Sequence, residues 1–334
     1  MSCAHPWIRK NEESRWIPYW QYNRLYIPCG RCLNCRIDKQ NELTDRCEQE
    51  LIDFKCGAFV TVTYDDYHLE EFLRRDINGN LNATLSRKDC KKFIDRLRGN
   101  VKNCMPDNLL SNHHFKYVAV GEYGGDGQVF DRPHMHFLFF GLDFAVCKRM
   151  FEKSWQSKGI IEVDPILQGG IHYVLKYLDK QLFGEQAEIK YDNNNIERPF
   201  QCHSLGLGSN LYKNQKEYIR KTNGSYRWKG KDRPCPTYYK NKYLLPTDHW
   251  KSVQSAKDSF KLHNGYFPKT PYDLHDFQIR QAEIKEANAN IRLQQSGRPK
   301  YDYMSLNDLH YVSQVYISEL VSNALLSQKY IDSA

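Results

Sequence analysis

Residues 132–141 read RPHMHFLFFG. Two histidines, two apart in an apolar and aromatic run, mark a β-strand with one chemical face. Side chains two apart on a strand share a side. His134 and His136 therefore point one way, and Met135, Phe137 and Phe139 point the other, toward a core. Two imidazoles so placed can hold one divalent metal ion. The same spacing also arises by accident on an apolar strand, so the neighbouring sequence has to decide.

Upstream, FKYVAVGEYG (115–124) has strand composition and ends on Glu122. The polar turn GDGQVFDR (125–132) separates it from the histidines. If the two strands pair antiparallel, Glu122 reaches the imidazoles as a third ligand. Two histidines and one carboxylate leave positions open for water or phosphate, which suits Lewis-acid chemistry. A solvated carboxylate at a strand end is the plainer alternative for Glu122 taken alone.

Other elements follow from pattern. GAFVTVTYDD (57–66) is a strand, with Phe59, Thr61 and Thr63 alternating with Val60, Val62 and Tyr64. RIDKQNELTDRCEQELIDF (36–54) and SRKDCKKFIDRLRGNVK (86–102) read as helices. Ser86 is the expected N-cap of the latter, with Phe93, Ile94 and Leu97 on its core face. FAVCKRMFEKSW (144–155) is a third helix and GIIEVDPI (159–166) a further strand. GEQAEIKYDNNNIERP (184–199) reads as a loop. The order predicts an α+β fold, a mostly antiparallel sheet with helices packed on it.

YVLKYLDK (173–180) repeats Y-x-x-K. On a helix, spacings of three, four and seven fall on one face. Tyr173, Lys176, Tyr177 and Lys180 then form a polar stripe, opposite Ile171, Val174, Leu175, Leu178 and Leu182. A tyrosine hydroxyl, with an ordinary pKa of about 10, attacks phosphorus only if a metal polarises the phosphate and cations stabilise the developing charge. Lysine supplies such cations. A tyrosine–lysine face that simply meets solvent is the competing reading.

The chain has 334 residues and a net charge of +8, with 11 cysteines. Residues 211–243 carry ten Lys and Arg against Glu217 and Asp232, which is 10 − 2 = +8. Interleaved are Tyr212, Tyr218, Tyr226, Trp228, Tyr238, Tyr239 and Tyr243. Cations track phosphates and aromatic rings stack on bases, so the segment is a candidate DNA surface. Its candidate contacts are Lys213, Lys216, Arg220, Lys221, Arg227, Trp228, Lys229, Lys231 and Arg233. A charged face with the rings buried beneath it is the alternative.

No run approaches 18 uncharged apolar residues, so no transmembrane helix is expected. MSCAHPWIRK lacks an apolar signal core, so no export is expected. An odd cysteine count scattered over a long chain predicts reduced thiols. PCGRCLNCR (28–36) is different: Cys29, Cys32 and Cys35 can clasp Zn²⁺. Cys3 is the first candidate for the fourth ligand, ahead of His5 and Cys47. An iron–sulfur cluster is the alternative, since ferredoxins carry the same spacing. The missing fourth Cys-Pro speaks against it.

The motifs FVTVTY, GEYG…RPHMHFLFFG and YVLKY, in that order, resemble the HUH endonucleases of rolling-circle replication. With PCGRCLNCR upstream and TYDDYHL after the first strand, the set resembles the replication initiators of Microviridae, the gokushovirus-like single-stranded DNA phages. The similarity is specific over residues 1–182, looser to about 245 and weak beyond. HSLGLG and CPTYYKNKY match the family's downstream elements only roughly, and Thr237 stands where an arginine is usual.

That resemblance implies an antiparallel HUH nickase core with flanking helices. It implies Mg²⁺ or Mn²⁺ on Glu122, His134 and His136, and Tyr173 and Tyr177 as paired nucleophiles accompanied by Lys176 and Lys180. The implied reaction nicks origin DNA, leaving a 5′-phosphotyrosyl link and a 3′-OH primer, and later rejoins the strand to close the circle. Partners would be origin DNA, a host helicase and a host polymerase, in the cytoplasm of a bacterial host. The chain shows no G-x-x-x-x-G-K-[ST] loop with which to unwind DNA itself. The expected divisions are a cysteine-rich segment (1–50), the nickase core (51–200), a basic extension (201–271) and a helical tail (272–334), broken at SGRPKYD. A plasmid or transposon nickase, a non-catalytic DNA-binding regulator and a water-using metal hydrolase are the rival classes.

Overall fold

A computed structural model describes residues 3–10, 24–104, 115–124, 132–167, 169–176, 187–222, 224–244, 246–269 and 271–295. These fall into two compact units. Residues 3–49 with 208–295 form one, and residues 50–207 the other.

The first unit opens with a two-stranded antiparallel ribbon, β1 (Trp7–Lys10) and β2 (Arg24–Ile27). Helix α1 (Leu33–Phe54) follows. Its last residues belong to the second unit.

The second unit is built on a five-stranded sheet. Strand β3 (Gly57–Tyr64) is followed by a short helix α2 (Asp66–Leu69) and a small hairpin, β4 (Leu73–Arg75) and β5 (Leu81–Ala83). Then come α3 (Arg87–Cys104), β6 (Lys116–Tyr123), β7 (Pro133–Phe140), α4 (Lys148–Trp155) and β8 (Gly159–Pro165). Helix α5 (Gly170–Lys176) and β9 (Phe200–His203) complete it. The strand order is β8-β3-β7-β6-β9, and every pair is antiparallel.

The alternation read from the sequence sets the two faces of this sheet. Val60, Val62 and Tyr64 of β3 and Met135, Phe137 and Phe139 of β7 are buried on one face. They join Phe93, Ile94 and Leu97 of α3 and Phe151 and Trp155 of α4 in a single core. Phe93 meets Phe137 with ring centroids 4.9 Å apart, and Phe137 stacks on Phe139 at 5.5 Å. Burying one such ring contributes about 1.5–3 kcal/mol. Ser86 caps α3 as its position predicts, its Oγ accepting from the Asp89 N–H at 3.0 Å. Beside Glu122, Gly121 makes room for β9: a Cβ there would stand 2.5 Å from the Phe200 ring.

The 184–199 segment is not all loop. Glu188–Asp192 forms one π-helical turn that buries Tyr191 against Tyr123, the rings stacked at 5.9 Å. Polar composition hid a turn held by a single aromatic anchor.

The chain then returns to the first unit with α6 (Ser209–Lys213), α7 (Lys216–Lys221), the hairpin β10 (Ser225–Trp228) and β11 (Lys231–Pro234), and α8 (Thr237–Tyr243). Two long helices follow, α9 (Pro246–Asn264) and α10 (Pro271–Gln295). Helix α9 lies within what the sequence suggested was basic extension. Pro246 at its first position was the available signal. Helix α10 matches the expected start of the tail, and SGRPKYD lies outside the described residues. No described helix is long and apolar enough to cross a membrane.

Candidate active site

Strand register brings the site together. Glu122 pairs with His134 across β6 and β7, while Thr61 and Thr63 of β3 pair with His136 and His134. All five side chains therefore stand on the sheet face opposite the aromatic core. One carboxylate oxygen serves both rings: Glu122 Oε1 lies 2.8 Å from His134 Nε2 and 3.0 Å from His136 Nε2. Glu122 and His136 are buried and His134 is half-buried.

Each ring is also held at its far nitrogen. Thr61 Oγ1 stands 3.0 Å from His136 Nδ1, and the Arg132 carbonyl 3.1 Å from His134 Nδ1. A carbonyl only accepts, so His134 Nδ1 carries a proton. A neutral ring then turns its Nε2 lone pair on the Glu122 carboxylate, acceptor against acceptor. A doubly protonated ring or a shared cation resolves that arrangement. Burial alone would raise the Glu122 carboxyl, but the bonds and charge of the two histidines outweigh it and hold the group below its ordinary value.

One ligand atom from each of Glu122, His134 and His136 lies within 4.8 Å of the others. The donor set, its convergence and the anchored far nitrogens fit a divalent ion. Sequence reading found the three ligands but missed the anchors. Thr61 was legible as the β3 residue on the same face, but its partner emerges only from the strand register.

Tyr173 of α5 reaches the same place. Its ring meets His136 edge-on with centroids 5.9 Å apart, and Phe59 at 6.2 Å. It is 50% exposed, whereas Ile171, Val174 and Leu175 are buried, as the helical stripe requires. Lys176 is the last residue of α5. Tyr177 and Lys180 lie outside the described residues. A cavity of about 670 Å³ lined by Lys88, Asp89, Lys92, Lys158 and Glu197 is lined by none of these site residues.

Residues 57–182 match the family model of the replication-associated protein ORF2. The chain is 25% identical over 294 residues to replication-associated protein VP4 of Bdellovibrio phage phiMH2K, spanning 78% of this chain and 86% of that one. Its kin are phage replication-associated proteins. Similarity extends to replication-associated protein ORF2 of Spiroplasma virus 4, with 26% identity over 54% of this chain and 62% of the relative. It also extends to replication-associated protein ORF4 of Chlamydia phage 1, with 22% identity over 54% and 45%. These relatives bear out the resemblance to phage initiators read from the motifs. No solved structure matches the chain.

In this relative of the phage replication-associated proteins the basic segment belongs to the first unit, and its rings serve a different purpose from the one expected. Tyr212, Tyr226, Tyr239 and Tyr243 are buried together with Leu211 and Ile219, and Tyr212 stacks on Tyr239 at 4.1 Å. They are core, because packing opposite α1 takes them out of solvent; Tyr238 stays 67% exposed. Some candidate DNA contacts already have acidic partners. Trp228 Nε1–H donates to Glu48 Oε2 at 2.8 Å, Lys229 pairs with Glu48 at 2.6 Å and Arg233 with the buried Asp45 at 2.8 Å. Arg220 stands 3.9 Å from Glu217. Lys213, Lys216, Lys221, Arg227 and Lys231 are exposed. The same unit brings Cys3, Cys29, Cys32 and Cys35 together, the second group of side chains able to hold a metal.

Proposed function

We propose that this protein initiates replication of a small single-stranded DNA phage genome by cutting and later rejoining origin DNA. The observation that carries the proposal is the placement of the exposed Tyr173 against His136, beside a convergent Glu122–His134–His136 set on the open face of an antiparallel sheet. The relatives' names support the replication role.

Glu122, His134 and His136 would hold Mg²⁺ or Mn²⁺. When bound, the ion polarises a phosphodiester oxygen and stabilises charge on phosphorus. Thr61 and the Arg132 carbonyl fix the two rings so that both Nε2 atoms converge. The Tyr173 oxygen, with Tyr177 as its pair, attacks phosphorus. The P–O3′ bond breaks, the phenolic proton is lost and the departing 3′ oxygen gains one. A 5′-phosphotyrosine and a primer 3′-OH result. Rejoining reverses this: a 3′-OH attacks the phosphotyrosine, and the tyrosine oxygen leaves. Each step exchanges one phosphodiester for another, so no nucleotide is consumed. Lys176 and Lys180, spaced to follow the tyrosines on the helix, supply cations to the developing charge. Lys213, Lys216, Lys221, Arg227 and Lys231 supply a basic surface for the DNA backbone. A host helicase and polymerase would open the duplex and extend the primer.

The test is incubation of the full chain with Mn²⁺ and the circular single-stranded DNA of its phage, followed by a denaturing gel. A protein–DNA adduct is expected. A cut with a free 5′-phosphate would mark a hydrolase, and no cut a non-catalytic binder; either would overturn the proposal.

A further inference from the structure

Four cysteines outside the nicking site gather around one point. One Sγ from each of Cys3, Cys29, Cys32 and Cys35 lies within 4.8 Å of the others, and Cys3 and Cys32 are fully buried. The Sγ atoms of Cys3 and Cys32 are 3.9 Å apart. Thiolates around one tetrahedral ion at about 2.3 Å stand about 3.8 Å from each other. An iron–sulfur cluster places thiolates on separate irons and spreads them farther than any pair here. The geometry is that of a single ion.

Backbone donors point to anionic sulfur. The N–H groups of Arg31 and Cys32 both donate to Cys29 Sγ, at 3.4 and 3.3 Å, and the Cys29 N–H donates to Cys3 Sγ at 3.2 Å. Gly30, at φ +72°, permits the tight turn that aims them. Several N–H groups turned on buried sulfurs stabilise negative charge, and that charge needs a cation. Four protein ligands close the coordination sphere, the mark of a structural site rather than a catalytic one.

The cluster is also tied to the last described helix. Glu286 of α10 is buried; its Oε1 accepts from the Leu33 N–H at 2.8 Å, and its Oε2 lies 2.9 Å from His5 Nε2. Asn34 Nδ2 donates to the Ala282 carbonyl at 2.8 Å. Leu33 follows ligand Cys32, and His5 is two residues from ligand Cys3. One carboxylate thus bridges the two ligand-bearing segments at the positive end of α1.

We propose that Cys3, Cys29, Cys32 and Cys35 hold one structural zinc ion, and that this ion fixes the docking of α10 on α1 through Glu286. The inference is independent of the nicking reaction, and its test reads no nicking.

Metal analysis of the purified full chain is expected to give one zinc per chain, released together with four thiols by a mercurial reagent. Cys32→Ser is expected to lose at least ten-fold in bound zinc, while Cys47→Ser, at a buried cysteine outside the cluster, keeps it. After zinc removal, hydrogen exchange should quicken at Leu33 and along 282–286. No metal, or iron with sulfide, would overturn the zinc assignment. Zinc removal that leaves exchange at 282–286 unchanged would overturn the link to α10. Should Cys32→Ser fail to fold, the zinc-to-thiol ratio of the wild-type chain decides the assignment.

Discussion

The Tyr173 ring stands edge-on to the His136 ring, with centroids 5.9 Å apart and planes at 78°. A helix residue and a strand residue thus meet where Glu122 and His134 also converge. Tyr173→Phe keeps the ring contacts with His136 and Phe59 and removes only the hydroxyl. Its melting curve should match the wild type. With two tyrosines alternating, the single variant still forms an adduct but does not release closed circles, whereas Tyr173→Phe with Tyr177→Phe forms none. Denaturing gels of adduct and of circular product check both outcomes.

Glu122→Gln preserves the shape of the side chain and removes its charge. Adduct formation should fall at least ten-fold at low Mn²⁺ and recover in part as Mn²⁺ is raised. A titration of adduct against Mn²⁺ measures this, and a loss that Mn²⁺ never relieves would point away from a metal ligand.

Thr61→Val leaves a β-branched residue on β3 but no partner for His136 Nδ1, now 3.0 Å from the hydroxyl. Residues that orient a metal ligand typically contribute about 10–100-fold in affinity. The Mn²⁺ concentration for half-maximal adduct should rise by about that factor. Unchanged Mn²⁺ dependence would show that the threonine does not position the ring.

Asp45 offers a pH test in the first unit. Burial pushes its carboxyl up to about 6, against the opposing pull of the Tyr226 hydroxyl and Arg233. In the unfolded chain it titrates at the ordinary 3.8. Between those values the folded chain binds more protons, so this group's contribution to stability falls as pH rises through the window. Asp45→Asn lacks that slope. Wild-type stability minus variant stability, from denaturant melts, should be more positive at pH 4.5 than at pH 6.5. An equal difference at both would contradict the shifted carboxyl.

Local pattern carried much of this site. Period-two alternation in 132–141 separated His134 and His136 from Met135, Phe137 and Phe139, and helical spacing separated Tyr173 from Val174 and Leu175. Cys3 could be named as fourth ligand because so few residue types bind zinc. What local pattern does not carry is long-range pairing. The sequence does not say that β8 pairs outside β3, or that β9 pairs with β6. Thr61 therefore went unnoticed as a partner of His136. The tyrosines of 212–243 misled for a related reason. A ring beside a lysine in sequence reads as a base-stacking surface, until α6, α7 and α8 fold it inward. Burial there depends on tertiary packing, which spacing alone does not encode.

The most direct test of the central claim is to map the covalent link. The adduct formed on phage single-stranded DNA with Mn²⁺ is digested with nuclease and protease, and the modified peptide is sequenced by mass spectrometry. The nucleotide is expected on Tyr173 or Tyr177, attached through a 5′-phosphate. A nucleotide on any other residue, or a cut strand with no modified tyrosine, would contradict it.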